Sequence, residues 1–266
     1  MSNTDTFKLL ICQNDNTNPN PLEQVKHLIE EVKDDVDMIV LPECFNAPYG
    51  LDYFKEYAEG VTESSTYLFL SQLAKHKNAW VVGGSFIVKD GDKYYNRCYV
   101  FNRNGEVQGN YDKMHLFDID LPEKKFKESA VLKPGTSTFT FDTEFGRFGI
   151  GICFDLRFPK LTQKYIDDKC DVICYPGAFT MPTGSAHYQN LLKARALDSQ
   201  AYVIGAAPAR NEEADYVTWS HSTVVDPWGD VTADLGHEVC TKVVTLYRKK
   251  ISMVRSILPL TDSVEY

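Results

Sequence analysis

The 266-residue sequence lacks any apolar run that approaches the roughly 18 residues of a membrane-spanning helix. It also lacks an excess of basic charge, because 28 lysines and arginines stand against 37 acidic residues and the formal net charge is −9. This balance argues against a nucleic-acid partner and gives no attraction to anionic membranes. The polar, acidic residues 1–7 have neither a signal-peptide core nor an arginine-rich transit character. We therefore expect a cytoplasmic protein.

The sequence also lacks the even, regularly spaced cysteines of a disulfide framework. Its seven cysteines are scattered through apolar segments, which is typical of reduced and mostly buried thiols. Cys170 and Cys174 resemble a metal-binding pair, but residues 171–175 have the composition of a strand, along which four residues span roughly 13 Å. That distance is too long for one zinc ion or one disulfide. The six histidines show no ligand spacing, so no metal site is predicted.

What the sequence contains is an alternation of strand-like and helix-like segments. Several predicted strands follow one another without a helix between them, which favours two mixed sheets packed face to face with helices outside. The predicted fold is an α/β four-layer α-β-β-α sandwich, formed by a single domain over residues 1–266. The predicted strands are 7–12, 36–41, 80–88, 94–101, 148–153, 172–175, 202–206, 222–225, 231–233 and 243–246, and the predicted helices lie around 22–32, 67–74, 161–166 and 187–197.

The segment 146–159 joins the end of a predicted strand to the beginning of a predicted helix. Its first half is apolar or glycine, whereas Asp155 and Pro159 are helix-start signals. Cys153 therefore lies at the edge of a sheet, where open α/β folds bind ligands. Amide N–H groups at a helix start stabilise a thiolate and a developing oxyanion. Since free cysteine is also among the most buried residue types, packing remains an alternative for this residue alone.

Two further polar residues lie at or just beyond predicted strands. Glu43 follows the apolar segment 37–42, and Lys113 opens a charged excursion that runs to Glu128. A carboxylate at a buried strand end is either paired or has a raised pKa, which makes it a candidate base. A thiol, a carboxylate base and a cation together suffice for acyl transfer. His115 is an alternative base, although Glu43 suits that role better.

Three separated segments resemble, in order, the signature motifs of the nitrilase (carbon–nitrogen hydrolase) superfamily. They are 41–45 (Leu-Pro-Glu-Cys-Phe), 113–117 (Lys-Met-His-Leu-Phe) and 151–158 (Gly-Ile-Cys-Phe-Asp-Leu-Arg-Phe). The resemblance extends over about residues 7–260 and implies the nitrilase-type sandwich with a catalytic triad of Glu43, Lys113 and Cys153. It further implies that Glu128 positions substrate and lysine, that no metal or organic cofactor is needed, and that the protein is a homodimer.

Within this superfamily the sequence is most similar to the omega-amidase branch. The supporting segments are 43–50, 115–120, 175–179 and 207–210. The similarity implies hydrolysis of short dicarboxylic (2-oxo) acid monoamides, such as α-ketoglutaramate and α-ketosuccinamate, to the dicarboxylate and ammonia through a cysteine thioester. It also implies that Arg157 and Thr183 hold the substrate carboxylate, as the chemistry of guanidinium and hydroxyl donors allows. Tyr49 and Phe154 are further substrate contacts on this interpretation, with the Phe154 N–H at the oxyanion.

Several alternatives remain open at this point. The substrate could be deaminated glutathione or another amide acid, or the fold could serve a non-catalytic binding module. A cysteine protease or acyltransferase would need a positioned histidine and a peptide groove, which the sequence does not indicate. For Arg157, an internal ion pair with Asp155 or another acid is the alternative to substrate binding. Two departures from the family pattern, Tyr188 in place of tryptophan and Ser199 in place of asparagine, concern packing or substrate preference. The expected partner is a small molecule, with no nucleic acid or membrane.

Overall fold

A computed structural model of the protein describes residues 5–121 and 124–260. Residues 1–4, on which the interpretation of the chain start partly rests, lie outside the described residues, as do Pro122 and Glu123 in the excursion towards Glu128. Within the described ranges, strands and helices alternate along the chain.

The strands are β1 (Thr6–Gln13), β2 (Met38–Val40), β3 (Glu59–Gly60), β4 (Trp80–Val82), β5 (Phe86–Asp90), β6 (Lys93–Phe101), β7 (Val107–Asp112), β8 (Asp118–Leu121), β9 (Lys124–Lys127), β10 (Thr140–Thr143), β11 (Gly146–Ile150), β12 (Val172–Pro176), β13 (Tyr202–Ala206), β14 (Thr223–Val225), β15 (Val231–Asp234) and β16 (Cys240–Tyr247). The α-helices are α1 (Pro21–Glu30), α2 (Leu51–Glu56), α3 (Ser65–Lys77), α4 (Pro159–Asp167), α5 (Met181–Thr183), α6 (Gln189–Ser199) and α7 (Arg248–Ile257).

The strands form two large sheets and a small β8–β9 hairpin. The first sheet has the order β16-β1-β2-β4-β6-β5-β3, with β7 also paired to β6, and the second has the order β10-β11-β12-β13-β14-β15. At the centre of each sheet, β1-β2-β4 and β11-β12-β13 are parallel. Parallel neighbours need crossover connections, which α1, α3, α4 and α6 supply. The carboxyl ends of the central strands therefore meet at common sheet edges, where Glu43 and Cys153 lie.

The four layers follow from the alternation of side chains along the strands. In β1, Ile11 belongs to the core that includes the second sheet, whereas Leu10 packs on the other face with α1 and α3. Phe7 contacts Phe148 across the two sheets, with ring centroids 6.0 Å apart. Leu192 of α6 packs against the second sheet. The predicted α-β-β-α sandwich is thus the observed architecture.

The predicted strand over 80–88 is wrong in one respect, because it is two strands, β4 and β5, that pair with different parts of β6. The strand is interrupted around Gly84, whose φ is +57°. A Cβ atom there would lie 2.0 Å from the Pro42 carbonyl oxygen. Only glycine permits this close approach. The connection between β4 and β5 therefore lies against the loop that carries Glu43.

Other elements escaped prediction because they are short or polar. Residues 46–60, for which no helix is predicted, contain the six-residue α2, and the basic segment 248–255 lies in α7, where Ile251 and Val254 are buried. The strands β7 and β10 were not predicted either, since β7 is mostly exposed and polar. The helix expected over 187–197 begins in a π-helical turn, Gly184–Tyr188, and continues as α6.

Candidate active site

Cys153 lies at the first residue of a 3₁₀ turn, Cys153–Arg157, directly after β11. Its φ of +48° is unusual for a residue with a side chain, and the thiol is almost fully buried. On one side it is packed against Gly177, where a Cβ atom would come within 3.2 Å of the Cys153 Cα. The expected helix start is therefore a 3₁₀ turn, and the regular helix α4 begins at Pro159.

Three charged side chains, all fully buried, form a chain of ion pairs beside this turn. The Lys113 Nζ lies 2.9 Å from Glu43 Oε1 and 2.9 Å from Glu128 Oε2. Lys113 also donates to Glu128 Oε1 at 3.0 Å. A buried ammonium between two carboxylates is held in one position, since leaving either partner alone would strand a buried charge.

Different elements bring these residues together. Glu43 follows β2, and Lys113 follows β7 with its backbone N–H donated to the Asn96 carbonyl oxygen of β6 at 2.9 Å. Glu128 opens the 3₁₀ turn Glu128–Ala130, and its Oε2 accepts the Phe117 N–H at 2.6 Å. The four residues that the sequence predicts as catalytic thus lie in one cluster.

The two oxygens of the Glu43 carboxylate have different partners. Oε1 accepts from Lys113 and from Asn96 Nδ2, the latter at 2.9 Å, whereas Oε2 accepts the Ala178 N–H at 2.8 Å. The Cys153 thiol interacts with the Glu43 carboxyl and with the Ala178 N–H. Ala178 therefore interacts with both the sulfur and Oε2 of Glu43.

Burial controls the protonation of this cluster. It raises the pKa of the Cys153 thiol well above its usual value, and the neighbouring Glu43 charge raises it further. Burial also raises the pKa of Glu43, against the opposing charge of Lys113. For Lys113, burial lowers the pKa, but the charges of Glu128, Glu43 and Cys153 outweigh this and raise it well above the ordinary value. The thiol is therefore protonated at neutral pH and depends on a neighbouring base, while the ammonium keeps its charge.

A narrow cavity opens at the thiol. Four aromatic rings line it, and its polar side chains are one guanidinium, three hydroxyls and the thiol itself. The residues around it are Phe117, Cys153, Phe154, Arg157, Ala178, Phe179, Thr180, Thr183 and Tyr216. Of the predicted substrate-binding residues, Arg157, Thr183 and Phe154 therefore line the cavity. Within this turn, the first backbone N–H that donates to a backbone carbonyl is that of Asp155, which bonds to Ile152. The Phe154 N–H comes one residue earlier in the chain.

Arg157 is half-buried and contacts two aromatic rings and a histidine. Its guanidinium lies over the rings of Phe179 and Phe154, at 5.2 and 5.8 Å from their centroids, and its Nη1 lies 3.2 Å from His187 Nδ1. Among the residues that the structure describes, it forms no ion pair. The alternative of a pair with Asp155 is wrong, because that carboxylate is occupied elsewhere. A cation without a counter-ion at a cavity wall is available to an anionic ligand.

Asp155 instead connects the turn of the nucleophile to the segment of the lysine. Its carboxylate accepts from Ile152 N, Tyr111 Oη and the His115 N–H, at 2.8 to 2.9 Å. The His115 ring is fixed by Asp155, with Nδ1 2.7 Å from Oδ1, and stacks on Phe158. The alternative base is therefore held against a carboxylate and is not among the residues that line the cavity.

Tyr49 occupies a different place from the other predicted substrate contacts. Its hydroxyl donates to Glu128 Oε1 at 2.6 Å, and its ring packs between Phe126 and Tyr216. It does not appear among the residues around the cavity at Cys153. The geometry gives Tyr49 a contact with the Glu128 carboxylate, and its contact with substrate stays a prediction.

Sequence reasoning missed the groups that hold Glu43, namely Asn96 and the Ala178 N–H. A backbone N–H leaves no trace in the sequence, whereas an asparagine inside the strand pattern of β6 was an available signal. Within residues 5–121 and 124–260, no cluster of three or more His, Cys, Asp or Glu side chains is arranged to hold a metal ion. No helix in those ranges is long and apolar enough to cross a membrane.

Comparison with known proteins agrees with this geometry. Residues 11–255 match the family described as carbon-nitrogen hydrolase. The omega-amidase NIT2-B of Xenopus laevis is 46% identical over 236 residues, which cover 88% of this chain and 85% of that protein. The human omega-amidase NIT2 is 47% identical over 224 residues, which cover 84% of this chain and 81% of that protein. The crystal structure of Saccharomyces cerevisiae Nit3, a member of branch 10 of the nitrilase superfamily, superimposes with a TM-score of 0.91 at 35% identity, covering 97% of this chain and 96% of that one. The chain therefore belongs to the carbon-nitrogen hydrolase family and is a hydrolase of carbon–nitrogen bonds.

Proposed function

We propose that this protein is an omega-amidase that hydrolyses the terminal amide of short dicarboxylic acid monoamides, with 2-oxo acids such as α-ketoglutaramate and α-ketosuccinamate among its substrates. The observation that carries the proposal is the Arg157 guanidinium, which forms no ion pair within the described part of the chain and lies at the wall of a small cavity that ends at the Cys153 thiol. The omega-amidase name of the relatives supports the same substrate class.

The substrate binds through its acid end. The Arg157 guanidinium forms a two-pronged contact with the carboxylate, and the Thr183 hydroxyl adds a third donor. Thr183 is held by Thr180, whose hydroxyl lies 2.8 Å away. The apolar rings around the cavity exclude water and leave the amide facing the thiol.

Acylation begins with proton transfer from Cys153 to Glu43. The sulfur then attacks the amide carbon, and the oxyanion is stabilised by Lys113 and the Phe154 N–H. When the carbon–nitrogen bond breaks, Glu43 returns the proton to the nitrogen, which leaves as ammonia. The product of this half-reaction is a thioester between Cys153 and the acyl group.

Hydrolysis of the thioester uses the same base. Glu43 removes a proton from water, which attacks the thioester carbon, and the tetrahedral intermediate again lies beside Lys113. Collapse of this intermediate breaks the carbon–sulfur bond and returns the proton to the thiolate. Glu128 acts as a positioning residue in this scheme, because it holds the Lys113 ammonium from the side opposite Glu43.

We further propose that residues 1–266 form a single domain, and that the protein acts as a cytoplasmic homodimer on a small-molecule amide. The family match over 11–255 and the core that the two sheets share support the single domain. All seven cysteines are free, which is typical of a reducing compartment. Analytical ultracentrifugation of the purified chain tests the dimer.

A comparison of two amides of similar length tests the substrate class. We expect ammonia release from succinamate to be far faster than from butyramide, which lacks the acid group. Arg157→Lys should lower kcat/KM for succinamate by about 10- to 100-fold, since a point charge does not replace a bidentate contact to a carboxylate. Butyramide hydrolysis should be little affected by this substitution.

The Cys153→Ala variant controls for a contaminating amidase and should release no ammonia. Equal rates of the wild-type protein on both amides would refute recognition of an acid. Unchanged succinamate hydrolysis in Arg157→Lys would move that recognition to another residue.

A further inference from the structure

A buried asparagine of β6 contacts Glu43, the proposed base, but is not among the residues that line the cavity. Asn96 is fully buried, and its Nδ2 donates to Glu43 Oε1 at 2.9 Å. Its carbonyl side-chain oxygen, Oδ1, has no hydrogen-bond partner among the residues that the structure describes. The side chain is therefore satisfied only on the side that faces Glu43.

Such a side chain is unfavourable for the stability of the fold. A buried amide oxygen without a partner keeps its full desolvation cost, which an apolar side chain of the same size would avoid. The orientation of the amide is not in question, because a carboxylate oxygen accepts hydrogen bonds and only the NH₂ group can donate. The residue thus has a feature that packing does not explain, and its one hydrogen bond is to the proposed catalytic base.

We propose that Asn96 is a positioning residue, which together with Lys113 holds Oε1 of Glu43 so that Oε2 takes and returns the Cys153 proton. Two donors on one oxygen fix the carboxylate in the plane that directs the second oxygen at the thiol. The inference rests on the proposed base role of Glu43, but not on the identity of the substrate.

The position of Asn96 separates this role from that of the lysine. Its backbone oxygen accepts the Lys113 N–H, whereas its side chain contacts Glu43. Substitution of the side chain therefore removes a donor from Glu43 and leaves the backbone support of Lys113 in place. Because the asparagine is neutral, it orients the carboxylate without adding a charge to the cluster.

Asn14 provides a matched control. It is also fully buried, its Nδ2 donates to the Phe45 carbonyl oxygen at 2.9 Å, and its Oδ1 is likewise without a partner in the described part of the chain. It makes no contact with the ion-pair cluster. Asn14→Leu and Asn96→Leu thus remove the same kind of half-satisfied amide, but only the second removes a donor from Glu43.

The test compares Asn96→Leu with wild type and Asn14→Leu. We expect kcat on succinamate to fall by about 10- to 100-fold in Asn96→Leu with little change in KM, because a misdirected base slows the chemistry without touching the substrate. The acid limb of kcat/KM should also move to higher pH, since a donor that stabilises the carboxylate is lost. Asn14→Leu should keep the wild-type pH profile, because it removes no donor from the Glu43 carboxylate.

A second measurement does not depend on any substrate. The rate of Cys153 alkylation by iodoacetamide, followed by intact mass against pH with Cys153→Ala as the blank, reports proton transfer to Glu43. If Asn96→Leu shifts this profile while the wild type hydrolyses no amide acid, the positioning role stands and the proposed substrate class is wrong. If the wild type hydrolyses succinamate and Asn96→Leu equals it in kcat and in both profiles, the positioning role is refuted. Asn96→Val, a smaller residue that also favours strands, replaces Asn96→Leu if the latter does not fold.

Discussion

Among the individual residues, Glu43 has neighbours that shift its pKa in opposite directions. Burial and the Glu128 charge raise the pKa of Glu43, while Lys113 and the Cys153 thiol lower it, and burial is the largest of these effects. A base with a raised pKa accepts a proton from a thiol more readily once it is ionised. Because the pKa of Glu43 is raised, a larger fraction of this carboxyl is protonated in mildly acidic solution, and that fraction of the enzyme is inactive.

This balance predicts the pH dependence of the reaction. Since Glu43 must be ionised to accept the thiol proton, kcat/KM should fall as the pH drops through a value above the usual pKa of glutamate. Glu128→Gln removes a negative charge that raises the pKa of Glu43, so the acid limb should move to lower pH even though kcat also decreases. Glu56→Gln, at an exposed position of α2, should leave the limb unchanged. A shift of the limb to higher pH in Glu128→Gln would contradict the electrostatic assignment.

Among the elements, the break between β4 and β5 determines where the base lies. Gly84 and Gly91 both have a left-handed backbone, with φ of +57° and +58°. A Cβ atom at Gly84 would overlap the Pro42 carbonyl oxygen at 2.0 Å, whereas one at Gly91 would have nothing within 4 Å. Two glycines with the same conformation thus differ only in their contact with the loop that precedes Glu43.

Alanine at these two positions separates conformational strain from displacement of the base. Gly91→Ala should lower the free energy of unfolding by roughly 1–2 kcal/mol, the cost of a left-handed alanine, with kcat unchanged. Gly84→Ala should cost about 1–3 kcal/mol more, because the loop must move, and kcat should fall by about 100-fold through a misplaced Glu43. Urea unfolding and ammonia release measure the two effects. Equal kcat in both variants would show that the loop relaxes without moving the carboxylate.

The sequence predicted the elements whose pattern is local and missed those whose reason is tertiary. Tyr202–Ala206 is a continuous apolar run, and β13 has the predicted bounds. The break at Gly84 depends on a carbonyl oxygen from another strand connection, which no periodicity reveals. In the site, residue types with a chemical role could be predicted from motifs, whereas Asn96 and the Ala178 N–H could be found only from their contacts with Glu43.

In the molecule as a whole, the site is formed by both sheets. Glu43 follows a strand of the first sheet, whereas Cys153 and Ala178 follow strands of the second, and the bond from Ala178 N–H to Glu43 joins them. The packing between the sheets therefore sets the distance between the base and the nucleophile. Neither sheet alone supplies both the proton acceptor and the thiol.

This dependence predicts that activity and global structure are lost together. Phe148 is fully buried between the sheets, with its ring 5.3 Å from that of Phe141 and 6.0 Å from that of Phe7. Phe148→Leu should lower the free energy of unfolding by about 1–2 kcal/mol through lost aromatic packing. The urea midpoints of ammonia release and of far-ultraviolet circular dichroism should fall by the same amount, because separation of the sheets also separates Glu43 from Cys153. Trp228→Phe, at a half-exposed position in the β14–β15 turn, should shift neither midpoint. Loss of ammonia release at a lower urea concentration than loss of the dichroism signal would mean that the site opens locally, independently of the sheets.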